Sequence, residues 1–417
     1  MPASLLFISP RRAILFCLLL SLFELLTYVG SDFIMPGMLD IITELNADPR
    51  YVPFSLNAYL LGGVAFQWLI GPLSDRFGRR PLLLTGCALF ALTCLATLWI
   101  KEVNLFTLLR FFQGIGLGFV VVVSYPALQE SFSEADAVRL LAIVGNIALL
   151  SPLLGPLVGS VLLSVMEWRA MFITIALLSM LVWLGLYWLM PETVDVPRRE
   201  GGTIAPTPLR LQDLRNDYLN LLRNQRFIAG CLALGLTGLP LLSWIALSPL
   251  LLMHNLGLST YAYALWQLPV FGALIFGNFA LNTLIKHFSI EQLLRISLLP
   301  MLAGMVLGLI FTSITAHILA LIGGLAVYAF GLGIGNATLY RLTLYSSESG
   351  KGCVSAMLGM ISVAIYGLGS AALTALGAGE SLTAFSISAA ICAITALWPV
   401  LYMLSRATPA GESGVSI

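Results

Sequence analysis

An all-α membrane protein, with twelve transmembrane helices in two bundles of six, is the fold this sequence predicts. Three observations predict it. The 417 residues are 59% hydrophobic and 10% charged, with a mean hydropathy of +0.95. A soluble globular chain carries about 25% charged residues. Twelve stretches are apolar over the roughly 20 residues that a spanning helix needs. Lys and Arg also change sides along those stretches. With the N-terminus inside, seventeen of the twenty-one fall on the cytoplasmic side; only Arg50, Lys101 and Arg169 fall outside, and Arg110 lies within a span. That bias sets the orientation and places both termini in the cytoplasm.

The elements follow in order. MPASLLFISPRR leads into the first segment, 12–35, which is long enough to span and has no small-residue cleavage site after it. It reads as a helix and not as a removed signal peptide. The second segment, 52–73, ends at the basic loop GPLSDRFGRRP; then come 81–100, 104–128, 138–162 and 168–190. The stretch 191–225 is polar and basic, and its later part reads as a surface helix along the membrane. The second half holds 226–253, 261–284, 290–312, 316–341, 352–376 and 382–404. The predicted division is an N-terminal bundle (1–190), a cytoplasmic linker (191–225) and a C-terminal bundle with a short tail (226–417). A six-plus-six plan puts a site between related bundles near midplane. One faint internal match joins GPLSDRFGRR (71–80), after the second segment, to GNFALNTLIKHFS (277–289), after the eighth.

Several function classes are excluded. A net charge of +1 with no basic stripe leaves nothing for nucleic acid. Six cysteines without C-x-x-C spacing read as small buried hydrophobes, and three scattered histidines do not form a metal site. There is no G-x-x-x-x-G-K-[ST] for a nucleotide-driven pump and no Gly-x-Ser-x-Gly or H-E-x-x-H for an enzyme. No catalytic residue and no cofactor are expected.

The informative residues are charges inside apolar segments. Glu24 and Asp32 sit in AILFCLLLSLFELLTYVGSDFIM. Such a carboxylate costs about 2.5–3.5 kcal/mol on insertion scales, so it reads as functional. Arg110, in LLRFFQGIGLGF, enters from the outer side and lies about 9 Å deep; Asp32 lies within about 5 Å of the same face, and Glu24 about 12 Å deeper. Depth therefore pairs Arg110 with Asp32 and predicts an ion pair that holds the acid ionised. In GPLSDRFGRRP, Gly71 and Gly78 permit close approach and a tight turn, and Asp75, Arg76, Arg79 and Arg80 make a charged cytoplasmic latch. In GNIALLSPLLGPLVG, Gly145, Gly155 and Gly159 allow close packing, while Pro152 and Pro156 bend the helix or interrupt its hydrogen bonds. Asn57, Gln67, Gln113, Asn278 and Asn336 line a cavity or join helices.

The loop at 71–81 resembles the G-x-x-x-D-R-x-G-R-R pattern of the major facilitator superfamily, and LLGPLVG resembles the antiporter motif of its drug/proton antiporters. With FELLTYVGSDFIMPGML, ALQESF, MPET, LPLLSWIALSP, YAFGLGIGNA and RLTLYSSESGKGCVSAMLGM in order, the chain resembles the MdfA-type multidrug/proton antiporters over almost its full length. The resemblance implies twelve helices around a central cavity. It also implies export of lipophilic cationic and neutral drugs against entering protons by alternating access, in a bacterial inner membrane. By motif, Glu24 and Asp32 match the family's two membrane acids, Arg110 its membrane arginine, and Asp75, Arg79 and Glu130 its cytoplasmic latch. Tyr28, Tyr125, Asn146, Leu239, Trp244 and Gln267 lie in segments that face the family's cavity. Asp32 is the expected proton switch and Glu24 the expected contact for cationic drugs. Ser31 departs from the pattern, which commonly has Asn before the acid. The expected partners are small-molecule drugs, protons and the lipid bilayer. One chain contains the whole two-bundle unit, so a monomer is expected. The rival readings are a transporter dedicated to one lipophilic metabolite, or monovalent cation/proton exchange.

Overall fold

Each of the twelve predicted segments coincides with a helix. The computed structural model describes residues 5–199, 201–206, 211–347 and 351–405, and within these not the side chains of 134–139, 141–149, 211, 213–214 and 351–352. The expected site residues Gly145 and Asn146 lie outside the described side chains. Among the described residues, ten helices are long and apolar enough to cross a membrane. They are the first (Pro10–Glu44), third (Arg79–Trp99), fourth (Val103–Ser131), sixth (Trp168–Leu189), seventh (Gln225–Asn255) and eighth spans (Thr260–Leu284), followed by the ninth (Ile290–Thr315), tenth (Ile318–Leu344), eleventh (Cys353–Ala375) and twelfth (Leu382–Ser405). The second is a pair, Pro49–Ala65 and Gln67–Phe77, bent by 41°. The fifth is the 30-residue helix Glu134–Leu163. Among the described residues the only pairing of extended backbone is a single bridge between Leu6 and Arg198.

Polar residues set several helix starts. Ser9 caps the first span, Ser259 the eighth, and Ser289 with Gln292 forms a capping box at the ninth. These side chains satisfy amides that the first turn leaves open. The linker does contain a helix, Leu211–Arg223, joined to the core of the second half through Leu221. Among the described residues, three spans carry π-turns: Val29–Phe33 in the first, Val120–Ser124 in the fourth and Pro249–Asn255 in the seventh. A π-turn breaks the ordinary ladder and is common at functional sites.

Lipid is as apolar as leucine, so helices associate through close packing. Glycine supplies it here in a repeated form. A Cβ on Gly62 would lie 1.9 Å from the Phe111 carbonyl oxygen, and one on Gly114 would lie 1.9 Å from that of Tyr59. The second and fourth spans are thus in backbone contact. The eighth and tenth repeat the contact: Gly277 against Phe330 at 2.2 Å and Gly333 against Leu274 at 2.4 Å. In all four helices the glycine follows the contacting carbonyl by three residues. This packing repeat is separate from the internal match drawn from sequence. Gly71 and Gly277 both lie inside their spans, near the ends at Phe77 and Leu284. Gly277 also makes the kind of close backbone contact that Gly62 makes in the second span.

One core gathers buried residues from Ala13 to Met190 with Ala246 of the seventh span, and two others gather residues from Leu221 to Leu404. The first-half spans meet the second-half spans at several places, where the seventh span lies against the first and second, the second against the eleventh and the fifth against the eighth. Gly367 of the eleventh span accepts Leu61 and the Asn57 backbone of the second, and Ser160 Oγ of the fifth donates to the Thr260 carbonyl of the eighth at 3.1 Å.

Candidate functional site

Both membrane acids are buried: Glu24 is 1% exposed and Asp32 6%. Their surroundings differ. Glu24 Oε1 accepts a hydrogen bond from Tyr125 Oη at 3.1 Å, and its Oε2 is buried with no hydrogen-bond partner among the described residues. Asp32 has both oxygens taken. Ser31 Oγ donates to Oδ1 at 2.9 Å and Ser151 Oγ donates to Oδ2 at 2.6 Å. The fifth span lies directly against this acid: a Cβ on Gly155 would sit 2.8 Å from Asp32 Cβ, and one on Gly159 would sit 2.0 Å from the Phe33 carbonyl oxygen. Of the glycines of the sequence motif, Gly155 therefore faces the acid itself and Gly159 the residue after it. Pro152 and Pro156 lie within one continuous helix and do not interrupt it.

Arg110 does not pair with Asp32, contrary to the expectation from depth. Its Nη1 donates to the Gly30 carbonyl at 2.7 Å and to Gln113 Oε1 at 2.8 Å, and its Nε to Ser55 Oγ at 3.1 Å. The guanidinium also stands over the Tyr59 ring, 4.7 Å from its centroid. The physical reason is the π-turn. Val29–Phe33 departs from the α ladder, and a backbone oxygen freed within a membrane needs a donor. Arg110 supplies it two residues short of the acid. Tyr59 Oη braces the preceding turn by donating to the Thr27 carbonyl at 2.7 Å. Depth alone brought Arg110 to the right segment, but the backbone conformation chose its acceptor.

The second-half candidates form their own group. Trp244 Nε1 donates to Gln267 Oε1 at 2.7 Å, and Gln267 Nε2 to Ser248 Oγ at 3.2 Å. Leu239 is buried against Gly369. Tyr28 and Tyr125 are half-buried. Among the described residues no side-chain hydrogen bond links Glu24 or Asp32 to Trp244 or Gln267. Leu153 and Leu157 of the fifth span pack against the second-half core and so lie between the two groups.

At the end of the second span, Arg79 joins three helices. Its Nη1 reaches Asp75 Oδ1 and Ser74 Oγ, each at 2.5 Å, and it grips Glu130 with two bonds, Nη2 to Oε1 at 2.8 Å and Nε to Oε2 at 3.3 Å. Thr193 Oγ1 adds a bond to Glu130 Oε2 at 2.5 Å. Glu192, unnoticed as a site residue in the sequence, caps the third span. Its carboxylate accepts from the Arg79 amide at 2.8 Å and the Arg80 amide at 3.2 Å. An anion at a helix N-terminus is favourable. Gly78 has φ +101°, and a Cβ there would strike Glu192 Oε2 at 2.3 Å, so glycine is required. Gly71 needs no such exemption, because a Cβ would meet only ordinary contact with Val122 at 3.5 Å. Arg76 is exposed over the Phe77 ring and stands outside the latch, while Arg80 donates its guanidinium to the Tyr187 carbonyl. The signal for Glu192 was present in MPET, an acid just past the sixth span, but nothing local tied it to the third.

A twelve-helix bundle with buried acids on its first span and this latch defines a membrane transporter. Residues 20–374 match the sequence model of the Major Facilitator Superfamily, and the chain belongs to that superfamily. As such it is a transporter and not an enzyme. Its relatives include the multidrug transporter MdfA of Edwardsiella piscicida, 48% identical over 360 residues that cover 86% of each chain, and the multidrug transporter MdfA of Yersinia pestis, 46% identical over the same shares. The crystal structure of a D-xylose-proton symporter superimposes with a TM-score of 0.71 at 17% identity, covering 93% of this chain and 97% of that one. That of the human organic anion transporter MFSD10 gives 0.65 at 17% identity, covering 95% and 100%. At such identity the structural likeness is one of fold alone.

Proposed function

We propose that this protein exports chemically unrelated lipophilic cations and neutral drugs from the cytoplasm in exchange for entering protons. Its relatives at 48% and 46% identity are named multidrug transporters. The observation that carries the coupling is the contrast between the two acids of the first span. Glu24 Oε2 is buried with no bond to the described residues, which suits a cationic group, whereas Asp32 is enclosed by hydroxyls that serve either protonation state. Burial penalises an uncompensated carboxylate, so a drug and a proton compete to relieve it. Asp32 is the proton switch; Glu24, with Tyr125, meets the cation. Arg110 fixes the π-turn that presents Asp32. Trp244, Gln267, Leu239 and Tyr28 supply walls of the path, and Asp75, Arg79 and Glu130 the cytoplasmic latch.

In this reading the first six spans and the last six form two bundles that rock about the site, with 191–225 as their connection. The proton gradient drives the exchange without a cofactor. The protein works as a monomer in a bacterial inner membrane, with both termini in the cytoplasm. The test is proton release from purified protein in lightly buffered detergent when a lipophilic cation, and then an uncharged drug, is added. Release with both drugs, lost in Asp32→Asn, is the expected result. Drug binding without release in the wild type would overturn the coupling, and a single accepted ligand in a substrate panel would replace multidrug export by a dedicated transporter.

A further inference from the structure

We propose that Ser151 is a positioning residue of the proton step, holding the Asp32 carboxylate from the fifth span and so tying the proton switch to the helix that reaches the second half of the molecule. This rests on the proton-coupled reading above. The geometry is a cradle. Ser151 and Asp32 are 5% and 6% exposed, and Ser151 Oγ reaches Asp32 Oδ2 at 2.6 Å. Gly155, one turn along the same helix, has no Cβ, and only this lets the acid lie close enough for the bond. The next turns of that helix meet the other half through Leu157, packed on the second-half core, and Ser160, bonded to the Thr260 carbonyl. A change in the hold on Asp32 is therefore delivered to a helix that contacts both halves.

The chemistry suits a two-state partner. An ionised carboxylate only accepts hydrogen bonds, so Ser151 must donate to it. When a proton from the outer water bonds to Oδ2, the new O–H donates to Ser151 Oγ, and the serine hydroxyl turns to a helix carbonyl, as buried helical serines do. The bond persists with its direction reversed, and no charge is left unpartnered. Ser31 holds Oδ1 at 2.9 Å but sits on the same span, so it carries nothing between helices. The other charged or titratable groups acting on Asp32 are Arg110, which faces the Gly30 carbonyl, and Tyr28, Tyr59 and Tyr263. The described hydroxyls bonded to its oxygens are those of Ser31 and Ser151.

The experiment measures equilibrium binding of chloramphenicol, an uncharged lipophilic probe, to wild type, Ser151→Ala and Ser151→Thr in detergent. The range runs from about pH 5 to about pH 9, spanning a switch set near a physiological gradient. Wild-type binding weakens as pH falls and protons compete. Ser151→Ala is expected to keep the wild-type affinity at the high-pH limit and to move the midpoint up by about one unit. That is an approximately tenfold gain in proton affinity, because the ionised acid loses a charge-assisted donor. Ser151→Thr, which keeps the hydroxyl, is expected to return the midpoint to within a few tenths of wild type. An unmoved midpoint in Ser151→Ala, or a loss of affinity at every pH in both variants, overturns the proposal and leaves Ser151 a packing residue. Wild-type binding that ignores pH fails the coupling itself. A pH-dependent wild type with an unresponsive Ser151→Ala fails this inference alone.

Discussion

Glu24 and Asp32 stand two turns apart on one helix, yet their neighbours differ. Glu24 has one oxygen on Tyr125 and one with no hydrogen-bond partner among the described residues. A cation that reaches this second oxygen gains a charge-assisted contact of roughly 1.5–3 kcal/mol. Glu24→Gln is therefore expected to weaken binding of a lipophilic cation about tenfold or more and to leave an uncharged drug within about twofold. Equilibrium binding of the two probes side by side decides this; equal losses for both would remove Glu24 from charge recognition. Both acids were legible in the sequence because charge within an apolar run is rare. Ser151 was not. A serine in a membrane helix is common, and only the register of the fifth span on the first shows that it faces an acid.

At the scale of helices, packing depends on missing side chains. Gly114 lets the fourth span touch the second, and a Cβ there would lie 1.9 Å from a carbonyl oxygen that cannot move without its helix. Gly114→Val is expected to cost about 2 kcal/mol or more through overpacking. Thermal unfolding in detergent should show a lower midpoint, and an unchanged midpoint would mean that the helices part freely. The latch makes a different demand. Glu192 caps the third span from beyond the sixth, so Glu192→Ala uncovers two amides and is expected to cost about 1 kcal/mol. If the cap also steadies Arg79 between Asp75 and Glu130, the same variant will slow drug efflux from cells at equal expression. Efflux at the wild-type rate would confine Glu192 to helix capping. The loop's Gly and Asp spacing announced a latch, but the sequence could not say that Arg76 stands outside it or that Glu192 belongs to it.

Across the whole molecule, the two halves touch at several seams, among them those where the second span meets the eleventh and the fifth meets the eighth. If they rock during transport, a covalent tie at one seam stops it. Leu61 and Gly367 are in contact across the first seam, so Leu61→Cys with Gly367→Cys, in a background lacking the native cysteines, is expected to cross-link on oxidation. Drug efflux should then fall at least tenfold and recover on reduction. Efflux that survives complete cross-linking would show that this seam does not open.

Length, hydropathy and the placement of Lys and Arg determined the number, order and expected orientation of the spans, because a bilayer allows few ways to satisfy a backbone. The charged residues within those spans also marked themselves, since each carries an insertion cost that composition makes visible. What only the tertiary structure decided was partnership. Arg110 serves the Gly30 carbonyl because the first span adopts a π-turn, Gly277 repeats Gly62 because two pairs of helices pack alike, and Ser151 meets Asp32 because Gly155 lets their helices close. These choices turn on local helix geometry and inter-helix register at the level of a single ångström. A one-dimensional pattern records which residues can bond, but not which of them are brought within reach.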